Sequence, residues 1–381
     1  MSDFPLFALF LVAVVFLTGA FLAATPWLMK KNECFTVTVP EFAQTDRRFR
    51  SFRVRYAVSV LAATLACSVA MGVASYVYAS SAAVAGSSSV EAFFVAVVVA
   101  ASIVPAIVSF ALMLFYRKKV QAVKVEEGWK AEHSESVAVV GFEEVPKPPS
   151  LAWNAAYVPI VLATLAIGLA VYPTLPDVVP LHMDFAGNVD RWEPKSPSLI
   201  AFPVLFELFM AACFVLSHWA VARSKKDVDP AHPAISAYAY GAFARAECIL
   251  LLVGGLAFTG ILGVLMMLLM TDLVSPLPVI VLIVVVALVF TVAVIVISVV
   301  YGQSGSRLAR RMSEANGMPV DNDEHWKCGI FYCNKDDASL FLPKRFGVGW
   351  TLNWARPAVW VVVIGFLLVT IAFVFASFAL F

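Results

Sequence analysis

The chain has 381 residues, 61% of them hydrophobic and 14% charged, and its mean hydropathy of +0.86 excludes a soluble globular domain. Apolar residues arrive in blocks longer than the roughly 18 needed to cross a bilayer, without the period-two alternation of a barrel strand. The expected fold is therefore all-α: a polytopic transmembrane bundle. The formal charge of +1 excludes little, because it averages a basic surface with a slightly acidic one.

Eight spans are expected, over residues 4–28, 56–79, 91–115, 152–172, 198–220, 246–270, 277–301 and 357–379. Lys and Arg concentrate in the loops after the first, third, fifth and seventh spans, which hold 25 of the 27. That bias places these four loops in the cytoplasm and both termini outside. The first span is read as a retained helix, since MSDFPLF lacks a basic n-region and Lys30 and Lys31 follow a run too long for a signal peptide. The organisation expected is a three-helix amino-terminal membrane region (1–150), a four-helix core (151–301), a cytoplasmic aromatic and basic module (302–356) and a last transmembrane helix (357–381).

The second span carries Ala62, Ala66, Ala70 and Ala74 at four-residue intervals, a small-residue stripe suited to close helix packing. After the third span, residues 117–150 begin basic, turn acidic and end in Pro146, Pro148 and Pro149, which fits a surface-associated helix with a stiff connector.

Between the fourth and fifth spans lies a polar island, 174–197, that faces outward in this topology. His182, Asp184, Asp190 and Trp192 are its candidate ligand-recognition residues. Each has a plainer reading: Pro176 and Pro180 shape the turn after the fourth helix, Gly187 and Asn188 form turns, and Trp192 belongs to the interfacial aromatic belt. His182 is open to three readings, as a hydrogen-bonded structural residue, a recognition or pH-sensing group, or a metal ligand.

Glu207 lies about nine residues into the fifth span, near mid-membrane, and His218 follows eleven residues later on the same face. They read either as a proton or cation relay or as a protonated carboxyl and a neighbour tied to adjacent helices. In the sixth span Gly255, Thr259 and Gly263 form a second small-residue stripe. No disulfide is expected, because the six cysteines fall in spans or cytoplasmic loops. A zinc reading of His325, Cys328 and Cys333 lacks a fourth ligand, so neither metal nor cofactor is assigned.

Arg307, Arg310 and Arg311 share neighbouring faces of a basic helix, and 321–356 is rich in aromatic residues. Phe331 and Phe341 are expected to flank a hairpin turn at NKDD. Trp326, Lys344, Arg345 and Trp350, with the three arginines, are the candidate docking residues for a cytosolic protein.

The stretch LPDVVPLHMDFAGNVD, from Leu175 through Pro180 and His182 to Gly187 and Asp190, resembles the hallmark loop of the SdpI-like family of bacterial integral membrane proteins. WKCGIFYCNKDDASLFLPKRFGVGWTLNWARP is similar to an uncharacterised carboxy-terminal module that often accompanies it. The two cover most of 151–360. The resemblance implies a bacterial plasma-membrane protein giving immunity to, or sensing of, an extracellular antimicrobial peptide, with relay through a repressor-like cytosolic partner and no direct nucleic-acid contact. An enzyme is not expected, since no HExxH is present and Glu207 and His218 stand apart from any catalytic partner. The rival reading is a small-molecule or ion permease that uses Glu207.

Overall fold

Among the described residues, eight apolar runs become eight helices long and apolar enough to cross a membrane, because in hydrocarbon a lipid-facing backbone has no hydrogen-bond partner but itself. The computed structural model describes residues 4–81, 88–131, 145–183, 189–226, 228–229, 232–269, 276–312, 321–347 and 349–380. Helix α1 (Phe4–Leu28) is followed by a small hairpin, β1 (Glu33–Cys34) and β2 (Val37–Thr38), then by α2 (Arg47–Ser81) and α3 (Ser88–Glu126). A 3-10 turn over Leu151–Ala156 leads into α4 (Tyr157–Val171), and the antiparallel strands β3 (Val178–Met183) and β4 (Val189–Pro194) connect it to α5 (Ser198–Ala222). Then come α6 (Pro233–Leu268), α7 (Pro276–Tyr301), the short α8 (Ser306–Met312), strands β5 (Trp326–Lys327), β6 (Phe331–Tyr332), β7 (Phe341–Pro343) and β8 (Trp350–Leu352), and finally α9 (Pro357–Leu380).

Helices α2, α3 and α6 have 35, 39 and 36 residues. At 1.5 Å per residue each exceeds 50 Å, well beyond a hydrocarbon core of about 30 Å. The excess is made of charged segments, Arg47–Arg55 of α2 and Arg117–Glu126 of α3, and of the alanine- and tyrosine-rich first turns of α6. These segments meet at one end of the molecule, the basic end.

Helix contacts form two groups, α1–α3 on one side and α4–α7 with α9 against α5 on the other. In the first group Gly19 lies so close to Thr64 that a Cβ would strike its side chain. Of the alanine stripe expected on α2, only Ala74 is buried; Ala62, Ala66 and Ala70 are exposed, and Val60, Thr64, Ser68, Met71 and Ser75 form the packed face. Ala62, Ala66 and Ala70 stand two positions, about 200° around the helix, from Val60, Thr64 and Ser68, so the alanine row falls on the face opposite the packed one. Two of its hydroxyls bond within the helix, Thr64 donating to the Val60 carbonyl and Ser75 to that of Met71, both at 2.8 Å, while the Ser68 hydroxyl has no partner among the described residues. The stripe of α6 behaves as expected, with Gly255, Thr259 and Gly263 all buried.

A module built from β1–β2 and residues 321–356 holds the two groups together at the basic end. Phe331 and Phe341 do not flank one hairpin. Phe331 pairs with Lys327 across a turn at Cys328–Gly329, and Phe341 pairs with Leu352. The NKDD segment is instead the connector between two hairpins, whose edges meet where Tyr332 bridges Asn353. Asn353 is fully buried and holds that connector: its Nδ2 donates to the carbonyls of Asn334 and Asp337 at 2.7 and 3.0 Å, and its Oδ1 accepts from the Asn334 amide at 3.1 Å. On the α4–α9 side, Trp219 meets Phe341 edge-on, Phe243 stacks on Trp350, and Lys225 pairs with Asp337 at 2.6 Å.

On the α1–α3 side the module closes around the β1–β2 turn. Phe35 and Thr36 both have positive φ, 43° and 67°, a conformation that is costly for residues with a Cβ. Burial and polar partners offset the cost. Phe35 is fully buried against Tyr56 and Tyr116, and Arg117 donates to the Thr36 carbonyl at 2.7 Å and its hydroxyl at 2.6 Å.

Candidate functional site

At the end opposite the module, the polar island forms a β-hairpin in which Pro180 lies inside strand β3. Proline is tolerated there because an edge strand leaves outward amides unpaired. Val178 faces Pro194 and Pro180 faces Trp192 across the ladder, so the four share one face of the hairpin. That face is open: Val178 is 48% and Trp192 57% exposed. Val179 points the other way into a small core with Leu175 and Leu199, which seats the hairpin on the ends of α4 and α5. Lys195 fastens its base, donating to the Leu175 carbonyl at 3.0 Å with its ammonium 5.0 Å above the Tyr172 ring. Arg191 and Glu193 pair at 2.9 Å. Of the expected recognition residues, Trp192 is thus exposed beside this pair. Asp184 lies outside the described residues, as do Gly187, Asn188 and the side chains of His182 and Asp190.

Mid-membrane, Glu207 of α5 is fully buried between α4 and α6. Thr164 of α4 donates to its Oε1 at 2.7 Å, and Gly263 of α6 lies so near that a Cβ would collide with the carboxyl. Glycine is what admits this side chain. Its Oε2 is buried without a hydrogen-bond partner among the described residues.

His218 is three turns away on the same face, also fully buried, and its two nitrogens have separate roles. Nε2 faces the Pro149 carbonyl at 3.2 Å and must donate, while Nδ1 lies 3.0 Å from the Asn154 amide nitrogen, a donor, and must accept. This is the neutral imidazole, and it ties α5 to the turn preceding α4. The structure does not bring Glu207 and His218 into contact with each other; each is bonded to α4 or the segment before it.

At the basic end the expected docking residues separate into two sets. Arg345 is buried, donating to the Thr36 carbonyl at 2.9 Å and the Thr38 hydroxyl at 3.0 Å, bonding to Asn322 and Asp323, and lying 5.1 Å over the Trp326 ring. Trp326 is buried beneath it, and Trp350 is half-buried against Phe243. Arg307 donates to the Trp27 carbonyl at 2.8 Å, and Arg310 pairs with Glu41 at 2.7 Å. Lys344 and Arg311 are exposed.

The acid that organises this end, Asp323, was not evident beforehand. It accepts from the Thr38 amide at 3.0 Å and from Lys124 at 2.7 Å, and it pairs with Arg345. Burial raises the pKa of its carboxyl, but the charges and hydrogen bonds of Arg345 and Lys124 outweigh that and hold it at about 2. The visible signal was an acidic run, Asp321, Asp323 and Glu324, in an otherwise basic surface. His325 and Cys333 are linked through the backbone while Cys328 is exposed, and among the described residues no three such side chains converge as a metal would require.

Residues 160–206, from α4 through the hairpin into α5, match a family model described as a domain of unknown function (DUF1648). Residues 335–360 match one described as a family of unknown function (DUF5808). No curated protein and no solved structure matches the chain. The two matched segments fall on the hairpin with its flanking helices and on the second half of the basic-end module, in a chain whose described residues include eight helices long and apolar enough to cross a membrane.

Proposed function

We propose that this multi-pass protein resides in the bacterial plasma membrane with its basic end in the cytoplasm and the β3–β4 hairpin outside. There it recognises a cationic, amphipathic antimicrobial peptide and protects the cell from it or reports its presence inward. The segregation of 25 of 27 Lys and Arg to one end supports the orientation. One observation carries the recognition reading: the open apolar face of Val178, Pro180, Trp192 and Pro194 in a segment with four acidic residues, Asp177, Asp184, Asp190 and Glu193, against two basic ones. An aromatic anchor within net negative charge suits an amphipathic cationic ligand.

The hairpin also runs directly into α5, whose far end docks on the module through Trp219 and Lys225. A peptide that favoured one position of α5 would thereby reach the cytoplasmic face. With Trp326 and Arg345 spent inside the module, a cytosolic partner would meet Arg311, Lys344 and the exposed Phe331.

The test is survival of cells with and without the protein against a panel of membrane-active peptides, repeated with Trp192→Ala and His182→Ala at matched expression. Protection lost with the hairpin variants is the expected result. Equal survival with and without the protein across the panel rejects the reading.

A further inference from the structure

The interface of α4, α5 and α6 holds a feature that is independent of the hairpin's ligand. Four buried polar atoms there have no hydrogen-bond partner among the described residues: Glu207 Oε2, Thr259 Oγ1, the Tyr157 hydroxyl and Asn154 Oδ1. Glu207 is 0%, Thr259 1% and Tyr157 5% exposed. Unpaired buried polar atoms cost about 1–3 kcal/mol each, so several in one interface call for a function.

Their placement is ordered. On α6, Gly263 touches Glu207 and Gly255 touches both Tyr157 and Phe214, while Thr259 stands one turn from each glycine on the same face. On α4, Thr164 bonds Glu207, Tyr157 lies two turns nearer the basic end, and Asn154 follows just before the helix to meet His218. The four groups thus descend from mid-membrane to the basic end at steps of about one turn, roughly 5–6 Å.

Toward the hairpin the same interface is apolar. Gly168 of α4 is closed by Met267 and Ile200, and beyond it lies the core of Leu175, Val179 and Leu199. A polar file on one side of Glu207 and an apolar plug on the other make access one-sided.

We propose that Glu207 is an intramembrane proton-binding site loaded from the basic end through Asn154, Tyr157 and Thr259. A proton suits the site better than a metal cation, since one carboxyl and isolated hydroxyls fall short of the six or more oxygens that a hard cation collects. Among the described residues no positive charge stands against the carboxyl. Helix α4 presents Thr164 and Tyr157, α6 presents Thr259 and Gly263, and α9 presents Phe366 and Phe373 to the neighbouring Phe206 and Phe209. The carboxylate of α6, Glu247, is 16 residues from Gly263, about 24 Å along the axis. A lone carboxylate in such a place is costly, so the group rests as the neutral acid. Exchange moves its proton to the next hydroxyl or a transient water and returns one from the same side, leaving both bond count and charge balanced.

The test is infrared spectroscopy of the full chain in lipid vesicles, following the carboxylic-acid carbonyl band that Glu207→Gln removes as the sample passes into D2O. Thr259→Val and Tyr157→Phe, which delete only the hydroxyls, should slow its isotope shift by about tenfold each, the effect of about 1.4 kcal/mol on a rate. Thr291→Val, which removes an exposed hydroxyl of α7 away from this interface, should leave the rate unchanged, and circular dichroism verifies that all variants fold. The proposal is overturned if no such band disappears in Glu207→Gln, or if both hydroxyl-deleted variants exchange at the wild-type rate.

Discussion

Replacing Asp323 with Asn should release the module from the α1–α3 helices. The carboxylate binds Thr38 of β2, Lys124 of α3 and Arg345 of the β7–β8 loop together, whereas the amide keeps the shape and loses the charge. The pKa is held at about 2 against an ordinary 3.8, which corresponds to roughly 2–3 kcal/mol. A fully buried ion pair broken on one side costs about 3–5 kcal/mol; the Asp323 side chain is 17% exposed, so the smaller figure applies. Hydrogen exchange reports it directly, because the Thr38 amide donates to this carboxylate. Asp323→Asn should speed exchange of residues 33–38 by about tenfold or more at pH 7. Since the folded pKa lies below the ordinary value, the stabilisation is complete above about pH 4 and disappears as the pH falls through about 2, where variant and wild type should converge. A change smaller than about threefold at pH 7 refutes the assignment of Asp323 as the hub.

Gly263→Ala should destabilise the α5–α6 contact by about 1–3 kcal/mol, because its methyl group meets the Glu207 carboxyl. Gly72→Ala, with open space around it, should stay within about 0.5 kcal/mol in the same thermal unfolding assay in detergent. Asn353→Ala strips partners from the backbone of Asn334 and Asp337 and should cost about 2–3 kcal/mol, read as faster proteolysis in the 333–340 connector. His218→Ala should free the turn before α4 from α5 and raise exchange over residues 150–156 by about tenfold or more, consistent with the loss of about 1–3 kcal/mol of hydrogen bonding.

The spans were legible because crossing hydrocarbon demands long apolar runs and little else. Hydropathy reads only that thickness, so it missed the charged continuations of α2 and α3 and the alanine- and tyrosine-rich start of α6. The hairpin at 178–194 was hidden by Pro176 and Pro180, which suggest a turn, and by a ladder that only pairing reveals. Strands of two or three residues in the module are too short for any periodicity to register, so NKDD was read as a hairpin turn when it connects two hairpins. Glu207 could be found as a charge in an apolar run. Its neighbours Thr164, Thr259 and Tyr157 could not, because residues 43 and more positions apart come together only through helix packing. Asp323 and Thr38 are 285 positions apart, and no single sequence joins them.

The most direct test of the account is the sidedness of its two ends. With Cys333 replaced by Ser, a membrane-impermeant maleimide applied to intact cells should label Trp192→Cys on the hairpin. It should reach the exposed native Cys328 of the module only after the membrane is opened. Labelling of Cys328 in intact cells, with Trp192→Cys protected, would invert the molecule and contradict recognition at the hairpin.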